Sequence, residues 1–317
     1  MTIVYDCGTK TSSVDLTNII KLAFPKQGEA IDILFISHFH EDHVSGVEFL
    51  MKHCKIDKVV IPYIPEGDRM LFVLTEGLDV YSQLILDTDE YFGQDTKVVR
   101  IMSEYQQMVD DPGENIVQSG IALGLPPNIS KWMLIPFNYN YAYKITELKD
   151  KLSESGLSYE ALGDKGYIEN NFNRIMGVYK DLKGDPNNTS LVLISGSIYD
   201  CNWMCGCYRD IVIALCSPNC IYLGDISMKT MRFMKRLKTL LELFPNSMAT
   251  IQIPHHGSDR NLDASILSHY SASVISHDHV DKKHPSASVL KDIDEHGSAF
   301  IAVTEDKSTT FEECGFY

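Results

Sequence analysis

The chain has 317 residues, of which 44% are hydrophobic, and its mean hydropathy is -0.10. This length suffices for a buried core in one large or two modest domains, and no run of about 18 apolar residues could span a bilayer. The net charge of -15 excludes a protein that binds polyanions through a basic surface overall. No secretory signal is recognisable, so the eight cysteines are expected to be reduced thiols of a cytoplasmic protein.

Apolar strands and amphipathic helices alternate in the first third of the chain. Short apolar runs predict strands over 3–5, 31–36 and 58–61. Helical spacing predicts helices over 17–24 and 46–54. This βαβ alternation predicts a layered α/β core.

The middle of the chain is less regular. Its pattern predicts a helix over 68–86 and strands over 97–102 and 132–137. Residues 144–183 then show helical spacing. We interpret them as part of a helical insertion, at about 140–185, that decorates the core.

The α/β pattern returns in the last part of the chain. The predicted strands cover 191–194, 221–225, 249–253, 272–276 and 299–303. The predicted helices cover 228–244, 263–269 and 286–296, and a cysteine-rich loop occupies 201–220. The whole chain, 1–317, is therefore expected to form a single domain in which two sheets pack together with helices outside.

Metal-ligand residues follow three of the predicted strands. Three histidines and an aspartate come directly after strand 31–36, namely His38, His40, Asp42 and His43. Asp225 and the pair His255-His256 follow two later strands. Imidazole and carboxylate ligands suit a catalytic divalent ion, and a bridging carboxylate would allow two. A polar turn rich in histidine is the alternative for the first cluster.

The spacing H-x-H-x-D-H at 38–43 resembles the signature of the metallo-β-lactamase fold superfamily. That resemblance implies an αββα sandwich. It also implies that His38 and His40 serve one metal and that Asp42, His43 and His255 serve a second. Asp225 would then bridge the two ions. Asp6 matches the aspartate that orients ligands in this superfamily, although a turn-capping role explains it equally well.

One histidine of the superfamily pattern is missing. No histidine occurs between His53 and His255, so the first metal site is weak, uses a substitute ligand or stays empty. Asn187 and Asn188 are candidate substitutes, with a turn role as the alternative. The motifs Asn-Asn-Thr-Ser, Leu-Gly-Asp and Ile-Pro-His-His-Gly-Ser, with a final His-Pro, resemble the hydrolase domain of ComEC-like DNA-uptake proteins and their soluble relatives.

These features predict a metal-dependent hydrolase that holds one or two divalent ions, zinc or manganese. A metal-activated water or hydroxide, oriented by Asp42, would attack the substrate. His256 and His284 are further catalytic candidates because imidazole titrates near neutral pH. The preferred substrate is a phosphodiester of nucleic acid or of a nucleotide, and no membrane is expected as a partner. Hydrolysis of an ester, lactone or β-lactam, or a regulatory module with a degraded metal site, are the alternatives.

Two other groups of residues leave their role open. The cysteines between 201 and 220 could hold a structural zinc ion or pack as small apolar side chains. A basic group could contact nucleic acid or form a solvated surface, and it consists of Arg232, Lys235, Arg236, Lys238, Lys282 and Lys283.

Overall fold

A computed structural model describes the chain except for residues 11–12, 66–68, 70–72, 74–80, 105–114, 130, 140–141, 182–189, 200–203, 209–210, 216, 270, 279–280 and 316–317. The fold consists of two compact units. Unit 1 comprises Met1–Gln118 and Tyr139–Thr189, and unit 2 comprises Ser119–Asn138 and Ser190–Tyr317. Each unit contains its own sheets, so the two are described separately.

Unit 1 is built on a parallel sheet with the strand order β1-β3-β5-β6-β7. Its strands are β1 (Ile3–Tyr5), β2 (Ala30–Ile31), β3 (Ile33–Phe35), β4 (Lys55–Ile56), β5 (Lys58–Pro62), β6 (Lys97–Met102) and β7 (Ile116–Gln118). Strands β2 and β4 form a separate parallel pair. Its described helices are α1 (Ser13–Ala23), α2 (Glu41–Val44), α3 (Val47–His53), α4 (Ser82–Leu86), α5 (Thr88–Phe92), α6 (Ala142–Glu154) and α7 (Lys165–Asp181).

The central strands of unit 1 are apolar on both faces. All three residues of β3 are buried, as are Val59, Val60 and Ile61 in β5. A parallel strand that is covered on both sides needs a continuous apolar run, which these segments supply. Helix α3 contributes Val47 and Leu50 to the same core. Parallel strands place their carboxyl ends at one edge, so the residues after β1 and β3 meet there.

Helices α6 and α7 pack around an apolar cluster of their own. Leu148 and Leu152 of α6 and Ile168, Ile175 and Val178 of α7 are buried in it. A 3₁₀ turn at Glu160–Gly163 separates the two helices. Across the described residues, no helix combines the length and the apolar character that crossing a membrane requires.

Unit 2 contains a six-stranded mixed sheet with the order β15-β14-β13-β12-β9-β8 and a three-stranded antiparallel sheet with the order β11-β10-β16. The strands are β8 (Trp132–Asn138), β9 (Leu191–Ser197), β10 (Met204–Tyr208), β11 (Ile211–Leu215), β12 (Cys220–Tyr222), β13 (Thr250–Gln252), β14 (Ala272–Ser276), β15 (Ala299–Val303) and β16 (Phe311–Gly315). Its described helices are α8 (Met231–Leu241) and α9 (Ala287–Glu295). Strands β12 to β15 run parallel, whereas β8 and β9 are antiparallel neighbours.

Helix α8 is the most clearly amphipathic helix of unit 2. It begins at the cap Thr230, whose side chain accepts a hydrogen bond from the backbone N–H of Phe233. Phe233, Met234, Leu237 and Leu240 are buried at helical spacing. The ring of Phe233 stacks on Phe137 of β8 with 5.6 Å between the ring centroids. This apolar face fixes α8 to the sheet.

The α/β class predicted from the sequence is confirmed, and most predicted elements are present with shifts of a few residues at their ends. The predicted helix over 263–269 is wrong, because only a 3₁₀ turn at Ala264–Ile266 forms there. Asp263 accepts a hydrogen bond from the backbone N–H of Ser265, and Leu267 is extended, so the turn stops at once. Most of the predicted helix over 68–86 lies outside the described residues, and α4 covers its end.

The cysteine-rich segment is not one loop. Strands β10 and β11 pair within it, and β10 contains Cys205 and Cys207. Strand β16 pairs with the other side of β10. The loop interpretation for 201–220 was therefore wrong, because the β-branched apolar run of β11 favours a strand and pairs with β10. Cys201 and Cys216 lie outside the described residues.

Loss of the Phe233 ring should destabilise the protein. Phe233 is fully buried, so Phe233→Ala should lower the free energy of unfolding by about 3–5 kcal/mol, through lost transfer energy and a cavity. Met231 lies on the same helix but is 90% exposed, and it provides the control. Met231→Ala should change the free energy of unfolding by less than about 0.5 kcal/mol. Urea unfolding followed by circular dichroism measures both. Equal effects of the two substitutions would contradict this placement of α8.

Candidate functional site

Asp6 lies in unit 1 at the carboxyl end of β1, beside the segment that follows β3. Its backbone has a φ of 57°, and its N–H donates to the carbonyl of Phe35 at 2.9 Å. Its carboxylate accepts hydrogen bonds from the backbone N–H and the hydroxyl of Ser37, both at 2.7 Å. The same carboxylate accepts from Nδ1 of His43 at 2.8 Å. Asp6 thus fixes the orientation of the His43 ring as well as holding the turn.

The bond to Asp6 determines which nitrogen of His43 is available. Because a carboxylate can only accept, Nδ1 carries the proton of this hydrogen bond, and Nε2 is the nitrogen that can bind an ion. That Nε2 atom lies 4.0 Å from Oδ2 of Asp42. Lys10 forms an ion pair with the same Oδ2 atom at 2.9 Å. His43 and Asp42 therefore direct an imidazole nitrogen and a carboxylate towards one place.

His38 and His40 lie close to His43 in the same cluster. The ring centroid of His38 is 3.9 Å from that of His43 and 4.7 Å from that of His40. A ring nitrogen of His38 and one of His40 lie within 4.8 Å of each other. Nδ1 of His38 also lies 2.9 Å from the hydroxyl of Ser37. Ser37 thereby joins His38 to the carboxylate that holds His43.

The turn after β1 is fastened directly to this cluster. The N–H of Cys7 donates to the carbonyl of His43, and the N–H of Gly46 donates to the carbonyl of Cys7, both at 2.8 Å. A Cβ atom on Gly8 would lie 2.6 Å from backbone atoms of Glu41, Asp42 and His43. Only glycine permits this approach.

Cys7 does not act as a thiolate here. Burial, followed by the charge of Asp6, raises the pKa of the Cys7 thiol to about 12. The thiol therefore stays protonated near neutral pH, which makes it a poor nucleophile. The Sγ atom instead lies where a side chain on Gly46 would sit.

The acidic residues of the cluster also affect a nearby phenol. Burial, followed by the charges of Glu41 and Asp42, raises the pKa of Tyr81. Its hydroxyl therefore stays protonated at neutral pH and remains a hydrogen-bond donor.

In unit 2, Asp225 and His255 follow neighbouring parallel strands. The register pairs Cys220 of β12 with Thr250 of β13, so the two residues, each five positions further on, emerge at the same edge. Oδ2 of Asp225 lies 3.7 Å from Nε2 of His255. The backbone of Asp225 is held by Ser190, whose hydroxyl accepts from its N–H, and by Asn261, whose amide donates to its carbonyl. Both side chains can contribute to one ion site.

The histidine pair lies on a strained turn. His255, His256 and Gly257 have φ angles of 48°, 54° and 83°, in the left-handed region that costs side-chain-bearing residues about 1–3 kcal/mol each. A Cβ atom on Gly257 would lie 2.7 Å from Cβ of Pro285. Such strain is concentrated at functional sites and persists where surrounding bonds enforce it.

His256 and His284, the two catalytic candidates of unit 2, lie beside this turn. Nδ1 of His256 donates to the carbonyl of Ser276 at 2.8 Å, which leaves Nε2 as an acceptor. The ring of His284 lies 6.1 Å from that of His255. Burial lowers the pKa of His284. The charge of Asp281 opposes this lowering, whereas His255 and His256 lower the pKa further. His284 is therefore held in its neutral form.

The structure groups the predicted site residues within each unit. It brings together His38, His40, Asp42 and His43 in unit 1, and Asp225, His255, His256 and His284 in unit 2. Asn187 and Asn188 lie outside the described residues. The sequence reading missed Ser37, Lys10 and Gly8, although a serine directly before H-x-H was a detectable signal. It also missed Ser190 and Gln252, whose side-chain oxygen accepts from the N–H of Leu223. Ser190 closes the Asn-Asn-Thr-Ser motif, which did not reveal its role, and no local pattern marks Gln252.

Comparisons with known proteins found two ribonucleases that are similar to part of this chain. Ribonuclease J of Mycoplasma genitalium is 32% identical to this chain over 132 residues, and Ribonuclease J of Mycoplasma pneumoniae is 29% identical over 133 residues. Each match covers 37% of this chain and 23% of the relative, so the chain matches about a quarter of the length of these proteins.

A family model covers the amino-terminal part of the chain. The matching segment, residues 2–98, includes β1 to β5, Asp6 and the H-x-H-x-D-H cluster. The parallel and mixed sheets of the two units are consistent with the α/β fold of this family. Residues 2–98 match the Metallo-beta-lactamase superfamily, which confirms the resemblance inferred from the sequence for this part of the chain.

Proposed function

We propose that this chain is a metal-dependent hydrolase that binds one or two divalent ions, zinc or manganese. The proposed ligands are His38, His40, Asp42 and His43 of unit 1 and Asp225 and His255 of unit 2. The observation that carries the proposal is the hydrogen bond from His43 to Asp6. Metal-binding histidines typically donate their second ring nitrogen to a carboxylate, which fixes the ring and strengthens the ligand.

The distances within each unit fit a divalent ion. Two ligand atoms at about 2.1 Å from a tetrahedral ion lie about 3.4 Å apart. The 4.0 Å between His43 and Asp42 and the 3.7 Å between His255 and Asp225 are close to that value. Nδ1 of His255 and Nδ1 of His284 are buried and have no hydrogen-bond partner among the described residues. A polar ligand would satisfy such atoms.

The side chains of this chain would orient the reaction. The ion, when bound, supplies Lewis acidity and lowers the pKa of water. Asp42, held by Lys10, orients the attacking water and accepts its proton. His284, neutral because burial lowers its pKa, would act as a hydrogen-bonding group near the leaving oxygen and not as a cationic acid. Nε2 of His256 would accept a hydrogen bond from the substrate or from water.

Phosphodiesters of nucleic acid or nucleotides are the proposed substrates. The names of the two Ribonuclease J relatives support a nuclease, and the resemblance of the later motifs to ComEC-like DNA-uptake proteins also favours a nucleic-acid substrate. A regulatory module with a degraded metal site is the second candidate, because no histidine occurs between His53 and His255. Metal content distinguishes the two: the hydrolase should retain at least about one ion per chain after supplementation and dialysis.

Removal of one ligand from either unit should abolish hydrolysis. His40→Ala and Asp225→Ala should each lower metal-dependent cleavage of bis-p-nitrophenyl phosphate by more than about 100-fold, because the ion loses a ligand. His296→Ala, which removes an exposed histidine of unit 2, should leave the rate unchanged. Manganese and zinc are tested in parallel, with a labelled RNA and nitrocefin as further substrates. Undiminished cleavage by both ligand variants would refute the proposed metal site.

Asp6→Asn tests the orienting role. The amide keeps the size of the carboxylate but has one acceptor oxygen for the bonds from Ser37 and His43. Metal affinity should therefore fall about 10–100-fold, as measured by titration of metal-free protein in a calorimeter. Asp57→Asn, on an aspartate that is 49% exposed and paired with Lys55, is the matched control. An affinity equal to that of the unmodified protein would show that Asp6 serves only the turn.

A further inference from the structure

Helix α8 has a charge pattern that its packing does not explain. Five basic residues lie within positions 229–238, and no acidic residue occurs from 226 to 241. The whole chain has a net charge of -15, so the charge of this basic segment is opposite to that of the protein as a whole. The basic residues are Lys229, Arg232, Lys235, Arg236 and Lys238.

The apolar side of α8 already accounts for its attachment to unit 2. Phe233, Met234, Leu237 and Leu240 are buried, whereas Arg232, Lys235 and Lys238 are exposed. The exposed cations recur every third residue and form a stripe on the side opposite the core. These three positions are hereafter called the basic stripe.

The basic stripe is unfavourable for the isolated helix. Like charges three residues apart repel each other. A cation in the first turn also opposes the helix dipole, and α8 has no acidic residue there. Asp263 is one nearby carboxylate. Burial raises its pKa, but the hydrogen bonds from Ser265 and the charges of Lys238 and Lys229 outweigh burial, so the pKa is lowered overall.

The position of α8 connects the stripe to the proposed site. Asp225 lies three residues after the end of β12, and α8 begins six residues after Asp225, at Met231. Between them, Asn261 donates to the carbonyls of Asp225 and Ile226 and accepts from the N–H of Met228. The chain between a proposed ligand and the stripe is therefore held in one conformation within unit 2.

We propose that the basic stripe of α8 binds the phosphate backbone of a single-stranded polynucleotide substrate. This inference rests on the proposed function and names the surface that holds the substrate. Arg232 and Lys238 are separated by about 9 Å along the helix axis, so the three cations can lie along the flexible backbone of one strand, as the basic grooves of single-strand-binding proteins do. An acidic chain needs such a local patch, because its overall field repels a polyanion.

The test measures binding separately from cleavage. A fluorescein-labelled 16-nucleotide oligouridylate and its oligothymidylate counterpart are titrated with the full chain in EDTA at several salt concentrations, with anisotropy as the readout. Lys235→Ala/Lys238→Ala should weaken binding at least 10-fold and lower the salt slope by about 1.4, because each lysine that neutralises a single-strand phosphate contributes about 0.7 to that slope. Lys235→Arg/Lys238→Arg should bind like the unmodified chain because it keeps both charges.

The matched control removes two lysines elsewhere. Lys55→Ala/Lys291→Ala changes the net charge equally at residues that are 68% and 72% exposed, and it should bind like the unmodified chain. An equally weakened affinity in this control would show a general charge effect and would overturn the inference. The inference would also be overturned if the unmodified chain bound neither oligonucleotide, or if it bound phosphatidylserine vesicles and not the oligonucleotides.

Cleavage of bis-p-nitrophenyl phosphate separates the two proposals. The stripe does not contact so small a diester, so Lys235→Ala/Lys238→Ala should cleave it at the unmodified rate, which also shows that the variant is folded. Unweakened oligonucleotide binding by that variant would overturn the stripe and leave the hydrolase intact. Absence of diester cleavage in the unmodified chain, with binding that depends on the stripe, would instead refute the proposed reaction alone.

Discussion

The carboxylate of Asp6 is the interaction on which the candidate site of unit 1 depends. It accepts three hydrogen bonds, two from Ser37 and one from His43, and hydrogen bonds to a charged group contribute about 1.5–3 kcal/mol each. The left-handed backbone of Asp6 costs about 1 kcal/mol or slightly more, so the bonds outweigh the strain. A single partly buried carboxylate thus sets the conformation of the turn and the tautomer of a proposed ligand.

In unit 2, neutral polar side chains hold the backbone around a proposed ligand, as the charged Asp6 does in unit 1. Ser190, Asn261 and Gln252 hold the backbone around Asp225 through their side chains. The proposed ligands in both units follow parallel strands, whose carboxyl ends emerge at one edge of a sheet. Strand direction brings each set of ligands together, and polar side chains outside the set fix their orientation.

The sequence predicted the elements, and the clustering of candidate ligands, that depend on local patterns. The strand before His38, the amphipathic helix α8 and the H-x-H-x-D-H spacing all have short-range signatures, and the structure contains each of them. The helix predicted over 263–269 failed because Asp263 bonds to the backbone two residues on, which periodicity does not reveal. Ser190 lies 35 residues from the backbone it holds at Asp225. Such a bond depends on tertiary structure, so no reading of neighbouring residues would find it.

The turn at His255–His256 carries a consequence for the interpretation of substitutions in this chain. Two successive residues with side chains occupy a region of backbone conformation that asparagine and glycine tolerate best. Alanine or a β-branched residue at either position would change the backbone cost along with the imidazole. Asparagine, which removes the ring but accepts the conformation, is the replacement that reports on the chemistry of each histidine by itself. The permitted identities at these two positions are therefore limited by geometry before any ligand binds.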